Sequence, residues 1–125
     1  MAKKQAVSSP LLPPPLAPYS HAIIANGFIF VSGQLGMDKE KPHGGTVAEQ
    51  TEQVLKNLAR VLNEAGSSMD KVLKTTVLLA DINDFAAINE VYGKHFPDPK
   101  PARAAYAVAA LPIGARVEIE AIALQ

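Results

Sequence analysis

Cysteine is absent from the 125-residue sequence, so disulfide bonds, thiolate metal sites and cysteine nucleophiles are excluded. For the same reason the redox compartment cannot be inferred. No apolar run approaches the roughly 20 residues that a membrane-spanning helix requires. Twelve Lys and Arg residues balance twelve Asp and Glu residues, so no net charge attracts nucleic acid or an anionic membrane. A neutral surface does permit self-association.

The first 20 residues are rich in proline and lack the features of a targeting signal. Prolines between Pro10 and Pro18 prevent the apolar helix of a secretory signal, and no arginine supports an amphipathic transit helix. We therefore expect a flexible, proline-rich arm over residues 1–16 and a single domain over residues 17–125. The cytosol is the default compartment, with a mitochondrial location left open.

Periodicity along the rest of the chain predicts the element order ββαβαββ. Asn26-Gly27 lies between two β-rich runs and is typical of a tight hairpin. Residues 28–31 are apolar at each position, which predicts that both faces of this strand are covered, by a helix or by another subunit. Thr46 and Glu49 have the spacing of a capping box at the start of a first helix, and Gly66 stands at its end.

A β-branched strand over residues 71–80 precedes a second helix, which begins near Asp81 and ends before Pro97. Its predicted buried stripe contains Phe85, Ile88, Val91, Tyr92 and Phe96. The last segment predicts a hairpin around residues 111–114, which makes the sheet mixed. Two helices cover one face of such a sheet, and a homo-oligomer is the simplest cover for the other.

Within the predicted hairpin, Arg103 and two glutamates share one face above a floor of alanines. Pairing of Ala110 with Ala115 separates Arg103 from Glu118 by about 13 Å, at ~3.3 Å per residue. An arginine fork can bind a carboxylate through two hydrogen bonds, and a glutamate nearby can position or deprotonate water. The same residues also fit the solvent-facing side of an ordinary alternating strand, so the pattern leaves both interpretations open.

Four further residues are candidates for a site, each with a structural alternative. Tyr19 is either a hydroxyl donor at a pocket wall or a packing tyrosine. Ser32 and Gly33 end an apolar strand, where backbone N–H groups can face a ligand or form a plain turn. Asn89 is either a hydrogen-bonding group for a ligand or a solvated helix position.

Metal, phosphate and serine-nucleophile sites lack the spacing that they require. His21, His43 and His95 show no metal-ligand pattern, so we predict no metal site. Gly44-Gly45 precedes a helix and could hold an anion, but the rest of a phosphate-binding loop is missing. No Ser-His-Asp arrangement can be argued from the sequence.

Five ordered segments resemble the RidA family of reactive-intermediate deaminases, also called YjgF or perchloric-acid-soluble proteins. They are APYSHAI (17–23), FIFVSGQLGMD (28–38), EQTEQVLKNLARVL (49–62), VLKTTVLLADINDFAAINEVYGKHF (72–96) and PARAAYAVAALPIGARVEIEAIA (101–123). The resemblance implies an α+β, chorismate-mutase-like fold with a mixed six-stranded sheet, two helices on one face, and a homotrimer with clefts between subunits. It also implies a cofactor-independent hydrolase, a 2-iminobutanoate/2-iminopropanoate deaminase. Such an enzyme converts the enamines and imines that pyridoxal-phosphate dehydratases release to 2-keto acids and ammonia.

Position by position, the resemblance assigns Arg103 to binding of the substrate carboxylate and Glu118 to the attacking water. It places the remaining pocket residues at Tyr19, Ser32, Gly33, Asn89 and Ala105. His21 stands where glutamine is usual, which would alter the pocket rim. Ala105 stands where many bacterial members have cysteine, which argues against a thiol mechanism. The implied ligands are small 2-imino and 2-keto carboxylic acids, with no cofactor and no metal.

Other functions stay open at this point. Members of the family are also described as translation inhibitors with ribonuclease activity, although zero net charge disfavours RNA binding. A non-catalytic or chaperone-like module could use the same clefts to bind small carboxylic acids. Chorismate mutase activity is suggested by the fold alone.

Overall fold

The computed structural model of the protein describes residues 3–39 and 44–125. The candidate histidine His43 lies outside the described residues. The strands are β1 (Gln5–Val7), β2 (Ala22–Ala25), β3 (Phe28–Gln34), β4 (Val72–Leu79), β5 (Ala102–Ala107) and β6 (Val117–Leu124). The α-helices are α1 (Val47–Glu64) and α2 (Phe85–His95). Short 3-10 turns at Met69–Lys71, Ile82–Asp84 and Pro112–Gly114 precede β4, α2 and β6.

The strands form one six-stranded sheet in the order β1-β2-β3-β6-β4-β5. β4 and β5 are parallel, and the other neighbouring strands are antiparallel. The two α-helices contact each other and cover one side of the sheet, which we call the helix face. We call the other side the open face. The expected α+β fold with a mixed six-stranded sheet is therefore confirmed.

Local signals predicted the helices and the first hairpin correctly. Asn26 and Gly27 have φ angles of 53° and 79°, as a type I′ turn between β2 and β3 requires. The Thr46 hydroxyl accepts the Glu49 backbone N–H, and the Glu49 carboxylate accepts the Thr46 N–H, which completes the capping box. At the other end of α1, Gly66 has a φ of 80°, the left-handed conformation that terminates a helix.

The core lies between the helices and the helix face of the sheet. Its fully buried side chains include Ile29, Val54, Leu55, Leu58, Val61, Leu62, Leu79, Ile88, Val117 and Ile119. Burial of each such side chain contributes on the order of 1.5–3 kcal/mol. No helix in the described part of the chain is both long and apolar enough to cross a membrane.

The predicted closing hairpin is wrong, because β4 lies between β5 and β6. Arg103 of β5 is opposite Thr75 on one edge of β4, and Glu118 of β6 is opposite Leu78 on the other edge. The hairpin was expected because consecutive strands usually pair. Here α2 acts as the crossover that brings β5 beside β4 in parallel. β6 alternates buried and more exposed residues, which suits a strand between two neighbours and below a helix layer.

The proline-rich segment is part of the fold. Gln5–Val7 form the edge strand β1, which pairs with β2 and is the strand that the predicted element order lacked. Val7 and Leu12 are 6% and 4% exposed and belong to the core. The prolines favoured a flexible arm over residues 1–16, whereas Val7 and Leu12 in this range gain free energy by burial against the sheet.

The helices cover β3 on one face, not on both. Ile29 and Val31 are buried, whereas Phe28 and Phe30 are 40% and 47% exposed on the open face. The described residues therefore leave these two rings partly exposed, and another copy of the chain remains the predicted cover. Phe85, which was predicted to be buried, is 40% exposed at the start of α2.

Candidate active site

Arg103 lies on the helix face of the edge strand β5 and reaches over α2. Its Nη1 donates a hydrogen bond to Asn89 Oδ1 at 2.8 Å. Its guanidinium carbon lies 4.9 Å from the ring centroid of Tyr92 and 5.6 Å from that of Phe85. The three helix residues are spaced by four and three positions, so they share one face of α2. We call Phe85, Asn89, Tyr92 and Arg103 the Arg103 cluster.

All the observed partners of the Arg103 guanidinium are neutral. Aromatic rings attract a cation without neutralising its charge, and an amide oxygen fixes its direction. No carboxylate of the described residues lies within 4.0 Å of Arg103. The cluster therefore orients an exposed, positively charged fork whose remaining N–H groups suit a carboxylate or a phosphate.

Tyr92 supports the Arg103 cluster from the core side. Its hydroxyl forms a 2.7 Å hydrogen bond with Thr75 Oγ1 on β4. Burial raises the pKa of Tyr92, an effect that the Thr75 bond and the Arg103 charge oppose in part. The phenol therefore remains neutral near physiological pH, and it supports the guanidinium with its ring face without forming an ion pair.

A second polar site lies on the open face around Glu118. It is lined by Leu16, Ala17, Tyr19, Ser32, Gly33, Leu35, Pro112, Glu118 and Glu120, and we call it the Glu118 groove. Its walls come from the proline-rich segment, the end of β3, the turn before β6 and β6 itself. Glu118 and Glu120 point to the same side because they are two residues apart on a strand.

A bulge in β3 shapes the floor of the Glu118 groove. The register between β3 and β6 shifts between Val31 and Gln34, so Ser32 and Gly33 lie in the bulge. Gly33 lies directly against the carboxylate of Glu118, since a Cβ on this glycine would stand 1.9 Å from Oε2. A larger residue at this position would therefore displace the Glu118 side chain from its observed place.

The Glu118 carboxylate is partly buried and accepts no hydrogen bond from the described residues. Burial raises its pKa, and the negative charge of Glu120 raises it further. A carboxyl group with a raised pKa exchanges its proton closer to neutral pH than an ordinary glutamate does. Glu118 is thus suited to accept and return a proton during a reaction.

Tyr19 and Ser32 contribute to the groove in different ways. Tyr19 is 45% exposed, and its hydroxyl is free of described hydrogen-bond partners. The Ser32 hydroxyl donates to the Ser20 carbonyl at 2.6 Å, and the Ser32 N–H donates to the His21 carbonyl at 3.0 Å. Tyr19 is therefore available to a ligand, whereas Ser32 fastens the segment before β2 to β3.

Within one chain the Arg103 cluster and the Glu118 groove lie on opposite faces of the sheet. Thr75 and Leu78 are three residues apart on β4 and so point to opposite faces, and Arg103 and Glu118 are their respective partners. The two sites are also separated by two strand spacings of ~4.8 Å and three residues of ~3.3 Å. The prediction that Arg103 and Glu118 share a face is wrong, because it depended on the hairpin.

The structure divides the predicted site residues between the two faces. Asn89 lies with Arg103, while Tyr19, Ser32 and Gly33 lie with Glu118. Ala105 is two residues from Arg103 on the helix face of β5 and packs partly buried against the core. Phe85 and Tyr92 were predicted as buried residues of the second helix and not as supports of Arg103, although their helical spacing to Asn89 was a usable signal. Within the described ranges, no group of three or more His, Cys, Asp or Glu side chains is arranged to hold a metal ion.

Comparison with known proteins now identifies the family. The family described as endoribonuclease L-PSP matches residues 11–125. The chain belongs to this family. It is 50% identical over 123 residues to Reactive Intermediate Deaminase A, chloroplastic, of Arabidopsis thaliana, a match that covers 97% of this chain and 66% of that protein. It is 48% identical over 124 residues to the 2-iminobutanoate/2-iminopropanoate deaminase of Homo sapiens, covering 98% of this chain and 90% of that protein.

A solved structure of RidA from an Antarctic Psychrobacter bacterium agrees with the fold. It superposes with a TM-score of 0.92 at 40% identity and covers 97% of this chain and 99% of that one. The resemblance to RidA drawn from the sequence is therefore confirmed. The family match begins at residue 11, so it includes much of the proline-rich segment that the sequence analysis set apart.

Proposed function

We propose that this L-PSP family member is an imine deaminase, a hydrolase that converts 2-imino acids and their enamine tautomers to 2-keto acids and ammonia. The observation that carries this proposal is a complementary pair of groups: a supported arginine fork with no anionic partner among the described residues, and a carboxylate with a raised pKa. Relatives with 48–50% identity over nearly the whole chain bear deaminase names, which supports the same reaction.

The chemistry needs one anion anchor and one proton-transfer group. Arg103 holds the substrate carboxylate, which fixes the neighbouring imine carbon, C2. Glu118 accepts a proton from water as the water oxygen bonds to C2. Glu118 then returns this proton to the nitrogen, which gives a carbinolamine. The carboxylate next takes the proton of the new hydroxyl group and passes it to the amine nitrogen as the C2–N bond breaks, so that ammonia leaves and the oxygen remains as the keto group. Imine plus water thus becomes keto acid plus ammonia.

Two chains are needed to bring these groups together. Arg103 and Glu118 face opposite sides of one sheet, so the complete site forms where the Arg103 cluster of one copy meets the Glu118 groove of another. The open face carries exposed apolar side chains that such a neighbour would cover, namely Phe28, Phe30, Tyr106 and Leu124. The homotrimer implied by the resemblance is the assembly that we propose.

Endoribonuclease activity, which the family description names, has less support in this chain. The Glu118 groove contains two carboxylates, which repel a phosphate backbone, and the chain has no net positive charge. A non-catalytic module that binds small carboxylic acids would use Arg103 but would have no need of a proton acceptor. The effect of Glu118 on turnover therefore separates binding from catalysis.

A coupled assay tests the proposal. Threonine dehydratase generates the imine, semicarbazide traps what remains, and the protein is expected to reduce the trapped product. Arg103→Ala and Glu118→Ala should each lower the rate by about 10²–10⁴-fold. Mixed oligomers of these two variants should regain activity, because some clefts then combine an intact Arg103 with an intact Glu118.

The outcomes discriminate between the alternatives. Restored activity in the mixture supports a site shared between chains. Correctly assembled mixtures without activity would contradict that site. A wild-type protein that binds 2-oxobutanoate without accelerating imine loss would favour the binding module.

A further inference from the structure

The wall of the Glu118 groove is formed by a segment that cannot secure itself by strand pairing. Leu16, Ala17 and Tyr19 line the groove. The four prolines of residues 13–19 have no N–H to donate. In residues 13–19, the one described hydrogen bond to the rest of the fold is made by the Pro13 carbonyl. The position of this wall therefore depends on the partner of Pro13.

That partner is His21, whose side chain is 4% exposed. The Ser9 backbone N–H donates to His21 Nδ1 at 3.0 Å, and His21 Nε2 lies 3.1 Å from the Pro13 carbonyl oxygen. Because Nδ1 accepts, Nε2 carries the proton and donates to Pro13. The neutral imidazole thus joins two points of the proline-rich segment, while the His21 carbonyl accepts the Ser32 N–H at the bulge.

We propose that His21 is a positioning residue, which ties residues 9–13 to β3 and thereby holds Leu16 and Tyr19 at the wall of the Glu118 groove. Its effect on turnover rests on the proposed function, whereas its effect on the segment does not. The tie requires the neutral ring, since a protonated ring would direct an N–H at the Ser9 N–H. Tyr19 is the other titratable side chain around the small cavity beside His21.

Three variants separate this tie from simple filling of space. His21→Gln keeps an oxygen that can accept from Ser9 and an N–H that can donate to Pro13. His21→Leu keeps similar bulk without either group. Ser9→Pro removes the Ser9 N–H, together with the hydroxyl that accepts the Leu11 N–H, and leaves the imidazole in place. His95→Gln is the matched control, because His95 pairs with Glu52 at 2.8 Å between the two α-helices, away from the groove.

Hydrogen exchange and steady-state kinetics provide the readouts. We expect the Leu12 and Tyr19 amides, which donate to Ser9 and Ala17, to exchange about tenfold faster in His21→Leu and Ser9→Pro, as loss of a buried hydrogen bond predicts. KM for the imine should rise by about the same factor, with a smaller change in kcat. His21→Gln and the control should behave like the wild type.

Each other outcome overturns a defined part of the proposal. Unchanged exchange in both His21→Leu and Ser9→Pro would show that the ring does not hold the segment. Faster exchange with unchanged KM would show that the segment does not position the site. If the wild type hydrolyses no imine, the proposed function fails, and exchange at Leu12 and Tyr19 still decides whether His21 holds the wall.

Discussion

The surroundings of Arg103 and of Glu118 have different effects on the charge of each side chain. Arg103 is exposed and supported by neutral partners, so its charge is permanent and its direction is fixed. Glu118 is partly buried, has no described hydrogen-bond donor and lies near Glu120, so its charge is easily removed by a proton. A group that binds an anion needs a constant charge, whereas a group that transfers protons needs a charge that can be cancelled.

The two sites also differ in how the chain builds them. The Arg103 cluster combines one edge strand with one face of α2, so its function depends on the orientation of the guanidinium. The Glu118 groove combines segments that are distant in sequence and meet around Gly33. It therefore depends on the space that this glycine leaves for the Glu118 carboxylate. Substitutions that add side-chain volume should therefore affect the Glu118 groove most, and substitutions that remove an orienting hydrogen bond should affect the Arg103 cluster most.

Among substitutions that leave Arg103 and Glu118 in place as residue types or as charges, the largest effect is expected from Gly33→Ala, which fills space in the Glu118 groove. The new Cβ would stand 1.9 Å from Glu118 Oε2, so the carboxylate must move away from its position. We expect kcat to fall about 10- to 100-fold, as loss of an aligned proton-transfer group predicts. The free energy of unfolding should change little, because the atoms that the new methyl group meets belong to the movable end of the Glu118 side chain. Kinetics and thermal unfolding measure the two effects.

Gly93→Ala is the control for this prediction. Gly93 has no atom within 4 Å of its Cβ position, so the added methyl group meets open space. Its kcat should equal that of the wild type. Equal kcat values for Gly33→Ala and Gly93→Ala would show that the groove does not depend on the close approach of Gly33 to Glu118.

The next effect is expected from Arg103→Lys, which keeps the charge of the cluster and removes its fork. A lysine cannot form two parallel hydrogen bonds with a carboxylate, so KM should rise roughly tenfold or more. Arg60→Lys is the control, since Arg60 lies 3.8 Å from Asp38 and belongs to neither site. A KM that Arg103→Lys leaves unchanged would mean that the cluster supplies charge alone.

Sequence patterns predicted the local parts of this molecule better than the parts that meet across the sheet. Asn26-Gly27 and the Thr46–Glu49 capping box are encoded within a few neighbouring residues, and both were predicted correctly. The position of β6 between β3 and β4 depends on which strands compete for the same edges, and a single sequence does not contain that information. Periodicity indicates the faces of a strand but not its neighbours.

The candidate site shows the same limit. Strand periodicity allowed Arg103 to be a solvent-facing residue, and the family resemblance was needed to assign it to a pocket. The bulge at Ser32 and Gly33, which brings this glycine against Glu118, has no distinct sequence signal beyond the glycine itself. The role of His21 depends on two backbone groups that lie 12 and 8 residues away, so spacing alone could not predict it.

A smaller effect is expected from Asn89→Ala, which removes the side chain that orients the Arg103 guanidinium. Asn89 supplies the 2.8 Å hydrogen bond to Arg103, while both aromatic rings would remain. We expect KM to rise about threefold, in line with the loss of one exposed hydrogen bond, and kcat to stay near the wild-type value. Steady-state kinetics measure both constants. An equal loss in kcat would place Asn89 in the proton-transfer step and would weaken the distinction between the two sites.

The smallest effect at neutral pH, and the most specific one, is expected from Glu120→Gln. Burial is the larger cause of the raised pKa of Glu118, and the negative charge of Glu120 is the second. Removal of the Glu120 charge should therefore lower the pKa of Glu118. Glu118 would then become a carboxylate at lower pH, and the acidic limb of the kcat/KM profile should move to lower pH. Because a raised carboxyl pKa makes the folded state bind the proton more tightly, it reduces stability as pH rises through the folded pKa. Glu120→Gln should therefore raise the melting temperature slightly at neutral pH, with the exposed Glu64→Gln as control. A profile unmoved by Glu120→Gln would mean that the acidic limb belongs to another group, and that the adjustable charge of the groove is set by burial alone.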